Sequence, residues 1–263
     1  MYPARLLLNE QSAQSFTENP ALYCQYVQKV GERFYERTWY FLQHLVVQNG
    51  GLVLGAVVSI LLAWRFPLQM RTGVKDDNTF LALGFTPMKQ YWLSMVFDAL
   101  VAFLFSLVSI GSFVLLSARI NGWGALNYPV LLWRGDPAMY SHAFANLGTI
   151  LKDETLLFSS GVMLSIVFSH VVGMLIKQPL VVLLTTIDLW AVPLVGPSWR
   201  WAPWTYLNFS RVADGYTKTF YQSYDVSGGI AVLLGWTAFF IILGCGWLTS
   251  TQRRRITDGH SDN

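Results

Sequence analysis

Three ionisable residues stand inside otherwise apolar runs of this sequence: Asp98, His170 and Asp188. Carrying such a group into hydrocarbon is costly, so each marks either a functional centre or a packing site where a neighbour satisfies it. An acid facing an imidazole in a low-dielectric site is a pair in which each keeps the other charged. Counting along a helix, Asp98 lies roughly 10 Å and His170 roughly 9 Å from the ends of their runs that face the same side, so the two can meet at one depth. Asp188 lies roughly 16 Å along its own run, nearer the midplane. The other reading is that each is satisfied separately by a Ser, a Thr or a backbone carbonyl, and the sequence leaves both open. No other chemistry is visible. The chain has no G-x-x-x-x-G-K-[ST], H-E-x-x-H, C-x-x-C or G-x-S-x-G. His44, His142, His170 and His260 show no metal-ligand spacing, and Cys24 and Cys245 sit in settings too different for a disulfide framework. The expectation is a chain with no catalytic motif, no metal and no cofactor.

The elements that must position those three residues follow from composition. Hydrophobic residues make up 53% of the 263 and charged residues only 13%, against about 25% charged in soluble domains. That excludes an ordinary soluble enzyme and a disordered chain. A mean hydropathy of +0.40 requires polar stretches between the apolar ones. A net charge of +3 gives no footprint for nucleic acid. Aromatic residues reach 15%, as expected where rings line two bilayer surfaces. Charge-poor windows long enough for a hydrocarbon core about 30 Å thick place spans near 45–64, 92–117, 155–176, 178–196 and 226–250. The fold class is therefore an all-α integral membrane protein of about five transmembrane helices, with an N-terminal amphipathic helix and short interfacial helices. The lipid bilayer is its first partner.

Three regions result. Residues 1–44 form an N-terminal segment outside the cytoplasm, where Leu22, Tyr26, Val30 and Phe34 recur at helical spacing and predict an amphipathic helix over 20–43. Residues 45–252 form the membrane domain, and 253–263 a basic and polar cytoplasmic tail. Orientation rests on cation density: Arg65, Arg71, Lys75, Lys89, Lys177 and Arg253 to Arg255 crowd short connections on one side. The opposite face spreads its Lys and Arg over much longer loops. Those loops, 121–154 and 200–224, are rich in Trp and Tyr, which reads as an interfacial belt with short helices rather than a substrate lid. In the first span Gly51, Gly55 and Ser59 recur every four residues, a spacing of small side chains that allows close helix packing, within the chain or at a subunit seam.

The connection after the first span is the most informative stretch. Asp76 and Asp77 precede the apolar set Phe80, Leu81, Leu83 and Phe85, and Thr86-Pro87 supplies an N-cap followed by proline at the first helical position. The segment from Asp76 through Gly84 predicts a short amphipathic helix lying on the membrane or against a partner. Arg71, Gly73, Leu81, Leu83, Gly84, Thr86, Pro87, Lys89, Gln90 and Tyr91 together resemble the pattern of ABC-2-type transporter permeases. The stretch from Trp201 to Gly215, WAPWTYLNFSRVADG, resembles the Pro-x-x-Tyr-Leu-Asn element that such permeases carry before their last span. The resemblance runs from about residue 45 to 252. It implies an ATP-binding cassette subunit as partner, a second permease subunit, export energised by that ATPase, and location in the cell membrane. These permeases usually have six spans and a cytoplasmic N-terminus, so the expectation here is a chain lacking the first span. The competing expectation is a polytopic membrane protein without transport, acting in immunity, sensing or assembly.

Overall fold

The computed structural model describes residues 37–63, 86–134, 141–176, 178–195 and 199–258. The expected amphipathic helix at 20–43 falls largely outside them, and the expected coupling segment, Asp76, Asp77, Phe80, Leu81, Leu83, Gly84 and Phe85, falls wholly outside them. The described chain is mostly helix: α1 (Thr38–Val47), α2 (Gly50–Ala63), α3 (Pro87–Asn121), α4 (Leu147–Ile176), α5 (Pro179–Val195), the short α6 (Pro203–Leu207), α7 (Phe209–Ala213) and α8 (Tyr216–Tyr221), and α9 (Val226–Asp258). Between α3 and α4 stand two strands, β1 (Pro129–Arg134) and β2 (Ser141–Asn146).

Among the described residues three helices, α3, α4 and α9, are long and apolar enough to cross a membrane, and α1 with α2 make a fourth only if the bent pair counts as one span. This is the build of an integral membrane protein. It is not the unbroken set of five spans expected from composition. The run expected at 45–64 is bent by 73° between α1 and α2. The bend sits at Asn49, which has φ +67°, a left-handed conformation that asparagine tolerates because its short side chain bonds locally. A charge-free window reports composition and cannot see such a turn. The run expected at 178–196 is α5, only 17 residues and about 26 Å long, with Pro193 inside it. That is shorter than a hydrocarbon core of about 30 Å.

The other helices outrun their expected spans. α3 has 35 residues, about 52 Å. It starts where the sequence predicted: Thr86 is extended, its hydroxyl accepts the Lys89 amide at 3.3 Å, and Pro87 fills the first turn. It stops at Gly122, φ +74°, whose amide donates back to the Ala118 carbonyl. The start of α1 satisfies the last carbonyls of α3: Arg37 Nη1 donates to Asn121 O at 2.8 Å, and Thr38 Oγ1 to Gly122 O at 2.9 Å.

α4 is the central helix, with most of its apolar window buried, whereas α3 and α9 leave most of theirs exposed. Exposed Leu93, Leu100, Phe103, Leu107 and Leu115 on α3 suit hydrocarbon rather than water. The main core joins Leu52, Val58, Ala102, Leu157, Leu164, Trp190, Leu207, Phe209 and Leu233 from seven helices. A second cluster, Val130, Leu147, Ile150 and Ala213, seats the β1–β2 hairpin on the N-terminal end of α4.

That hairpin corrects the expectation of short helices in the 121–154 loop. β1 and β2 are antiparallel, with Val130 opposite Ala145 and Trp133 opposite His142. The run Pro-Val-Leu-Leu-Trp favours an extended backbone, and the hairpin is fixed from outside as well. Trp133 N donates to Asp214 O at 2.7 Å, and Gly215, φ +81°, brings its Cα against the Trp133 carbonyl, where a side chain would collide. The expected short helices do form in the later loop, as α6 to α8.

Candidate functional site

Asp98 and His170 meet. α3 brings the carboxylate and α4 the imidazole, and Asp98 Oδ2 lies 2.8 Å from His170 Nε2, with each residue 1% exposed. The two helices therefore share a hydrogen bond at the depth their rise along each run allows. Around it lies a dry cluster of Tyr91, Met95, Val167, Val171 and Met174, completed by Ile241 and Cys245 of α9. The Tyr91 ring stands edge-on to His170 with centroids 6.0 Å apart. Gly244 lets α9 approach, since a side chain there would lie 2.7 Å from the Tyr91 hydroxyl. That hydroxyl is buried with no hydrogen-bond partner among the described residues. The pair thus ties α3 to α4 where α9 closes over both. A group so enclosed can hold a proton or lock two helices.

Asp188 does not join them. It faces outward on α5, on the stripe of exposed Leu180 and Leu184. Depth along a helix is set by residue count, but facing is set by packing, and here the packed face of α5 belongs to Val182, Thr186 and Trp190.

The small residues of α2 pack within the chain. A side chain on Gly55 would overlap the Trp190 ring, one on Gly51 would press to 3.1 Å from Phe209, and Ser59 Oγ accepts the Trp190 indole N–H at 2.8 Å. α2 and α5 are thereby held at a close approach that a larger residue would prevent.

The Trp201–Gly215 stretch forms a buried knot ahead of α9. Pro203 opens α6, and Tyr206 is fully buried. Its hydroxyl donates to Arg200 O at 2.7 Å and accepts the Tyr224 amide at 3.1 Å. Gly229 of α9 lies against the Tyr206 ring, so this one tyrosine clamps both ends of the loop to the last helix. Asp225 then accepts Gly228 N at 3.0 Å and Ser227 Oγ at 2.9 Å, bonds that hold its carboxyl below the usual range. Asp214 goes the other way. Burial pushes its carboxyl up to about 6, although the Tyr216 amide at 2.8 Å and Arg211 both favour the charge.

One residue escaped the sequence reading. Glu154 looked like the polar border of the third span, yet it is 4% exposed and neither carboxylate oxygen has a hydrogen-bond partner among the described residues. The signal was present: Leu147, Ile150, Glu154, Leu157 and Gly161 recur at helical spacing and are all on the buried side of α4. No cluster of three His, Cys, Asp or Glu that could hold a metal occurs among the described residues. Comparison with family models, with curated proteins and with solved structures finds no match for this chain.

Proposed function

We propose that this chain is a membrane-spanning permease subunit of an ABC-2-type exporter, paired with a second permease subunit and energised by a separate ATP-binding cassette subunit. In this reading the α1–α2 pair, α3, α4, α5 and α9 supply five passages, and the tail after α9 lies in the cytoplasm. The observation that carries the reading is the build of the Trp201–Gly215 stretch. The residues that resemble the permease element are the ones that make a structural unit, with Pro203 at a helix start, Tyr206 buried against Gly229 of α9 and Leu207 buried against Gly161 of α4. The Thr86-Pro87 start of α3 supports it further, because α3 begins directly after the segment proposed to touch the ATPase.

Force applied near residues 76–85 would reach α3 at its first turn. A helix of 35 residues carries a displacement along its length, past the Asp98–His170 bond, to its outer end. Closure of an ATPase dimer would in this way shift α3 against α4. The test is co-purification: with Phe80→Asp and Leu83→Asp together, an ATPase subunit encoded beside this chain should be lost from the purified complex while membrane insertion is unchanged. Recovery of the ATPase at the native yield would defeat the coupling role.

A further inference from the structure

The half of the molecule that carries the β1–β2 hairpin holds a pocket of about 260 Å³, open on one side, between the α1–α2 bend, α3, α4 and α7. Its wall is almost wholly carbon, including Leu45, Ile110, Phe113, Phe158 and Phe209. Glu154 lines this cavity. The other side-chain oxygens there belong to Ser109 and Thr155, and the Thr155 hydroxyl is spent on Leu151 O at 2.7 Å. The carboxylate is 96% buried by its 4% exposure, with both oxygens unbonded among the described residues. The charged groups that bear on it, Asp214 and Asp153, are also acids. An apolar pocket, open on one side, with one buried carboxyl in its wall among the described residues is the complement of a molecule with an apolar body and one ammonium. Burying an acid without a partner is costly in isolation, and a bound cation offsets that cost through a charge-assisted hydrogen bond.

We propose that this cavity binds organic cations that combine an apolar body with a single ammonium group, and that Glu154 is the residue that receives the ammonium. Phe113, Phe158 and Phe209 supply faces for the apolar body, and an ammonium near their rings gains further from their π density. The chemistry has two sources: a free amphiphilic amine, or the ammonium of a membrane lipid. Binding at this site needs neither an ATPase nor transport, and so is independent of the permease role.

The test uses the full chain, purified into nanodiscs of phosphatidylcholine, whose surface carries no net charge. Binding of radiolabelled 4-phenylbutylammonium is compared with that of the matched alcohol, 4-phenylbutanol, and the matched acid, 4-phenylbutyrate. The ammonium should bind at least about tenfold more tightly than the alcohol, the margin of a hydrogen bond to a charged group, and the acid should not bind. Glu154→Gln should bring ammonium and alcohol to equal affinity, and Ile110→Trp, which fills the cavity, should abolish both. Addition of phosphatidylethanolamine lowers ammonium binding if the lipid headgroup uses the same site and leaves it unchanged if free amines alone do; both results keep the proposal. Equal affinity for ammonium and alcohol in the native chain overturns it without reference to any variant, as does a preference that survives Glu154→Gln.

Discussion

The bond between Asp98 and His170 gives the sharpest test of how this bundle is held. Leucine has the same side-chain skeleton as aspartate without its charge or lone pairs, so Asp98→Leu removes one partner with little change of shape. His170→Leu removes the other. At 2.8 Å, with both residues 1% exposed, neither survivor can turn to water for a replacement. Losing that bond costs about 1–3 kcal/mol, rising to about 3–5 kcal/mol where the survivor stays charged. At roughly 2–4 °C per kcal/mol for a chain of this size, a loss near 2 kcal/mol lowers the unfolding midpoint in detergent by roughly 4–8 °C. The double variant should fall less than the worse single one, because no polar group is then stranded opposite leucine. Tyr91→Phe serves as the control. It deletes a hydroxyl in the same cluster that makes no hydrogen bond among the described residues, so it should be neutral or slightly stabilising. Effects of the two leucines that add within about 0.5 kcal/mol would refute the reasoning, since residues that share a bond must couple.

What the sequence revealed here divides along physical lines. Anything set by distance along one helix was legible. The common depth of Asp98 and His170 follows from counting residues, and the start of α3 follows from a threonine followed by proline. Anything set by the facing of a helix was not. Asp188 turned outward because Trp190 and Thr186 claimed the packed side of α5, a choice made by the neighbouring α2 and its Gly55. Backbone turns within apolar sequence were hidden for another reason. Asn49 bends the first passage through one left-handed residue in a window without a charge, and hydropathy has no term for φ. The β1–β2 hairpin is tied by the Trp133 amide to the carbonyl of Asp214, eighty residues beyond the strand, a contact that no local pattern contains. Glu154 lay between the cases. Its spacing placed it on the buried face, but a charge at the edge of a span reads by default as a border.

Three further outcomes follow from the same geometry. Ser59→Ala should cost about 1–3 kcal/mol, because the Trp190 indole N–H loses its acceptor at a site 2% exposed, and Gly55→Leu should prevent the α2–α5 approach and leave little folded protein; both are read from thermal midpoints and elution profiles. A cysteine placed at Lys75 in a chain without its native cysteines should resist an impermeant thiol reagent in intact cells, and labelling from outside would reverse the proposed orientation. Asp214 predicts a pH response whose sign is fixed. Its folded pKa of about 6 lies above the ordinary 3.8, so the folded chain holds the proton more tightly than the unfolded one. Stability from this group therefore rises as pH falls from above 6 toward 4, and levels off below that. The cause is burial, opposed by the Tyr216 amide and by Arg211, so Asp214→Asn removes the response while keeping an acceptor for that amide. Midpoints measured between pH 7 and 4.5 should climb less steeply in Asp214→Asn than in the native chain. Identical slopes would mean that Asp214 ionises as freely in the folded protein as in water, and that the contact between Trp133 and the Asp214 backbone leaves the carboxyl open to solvent.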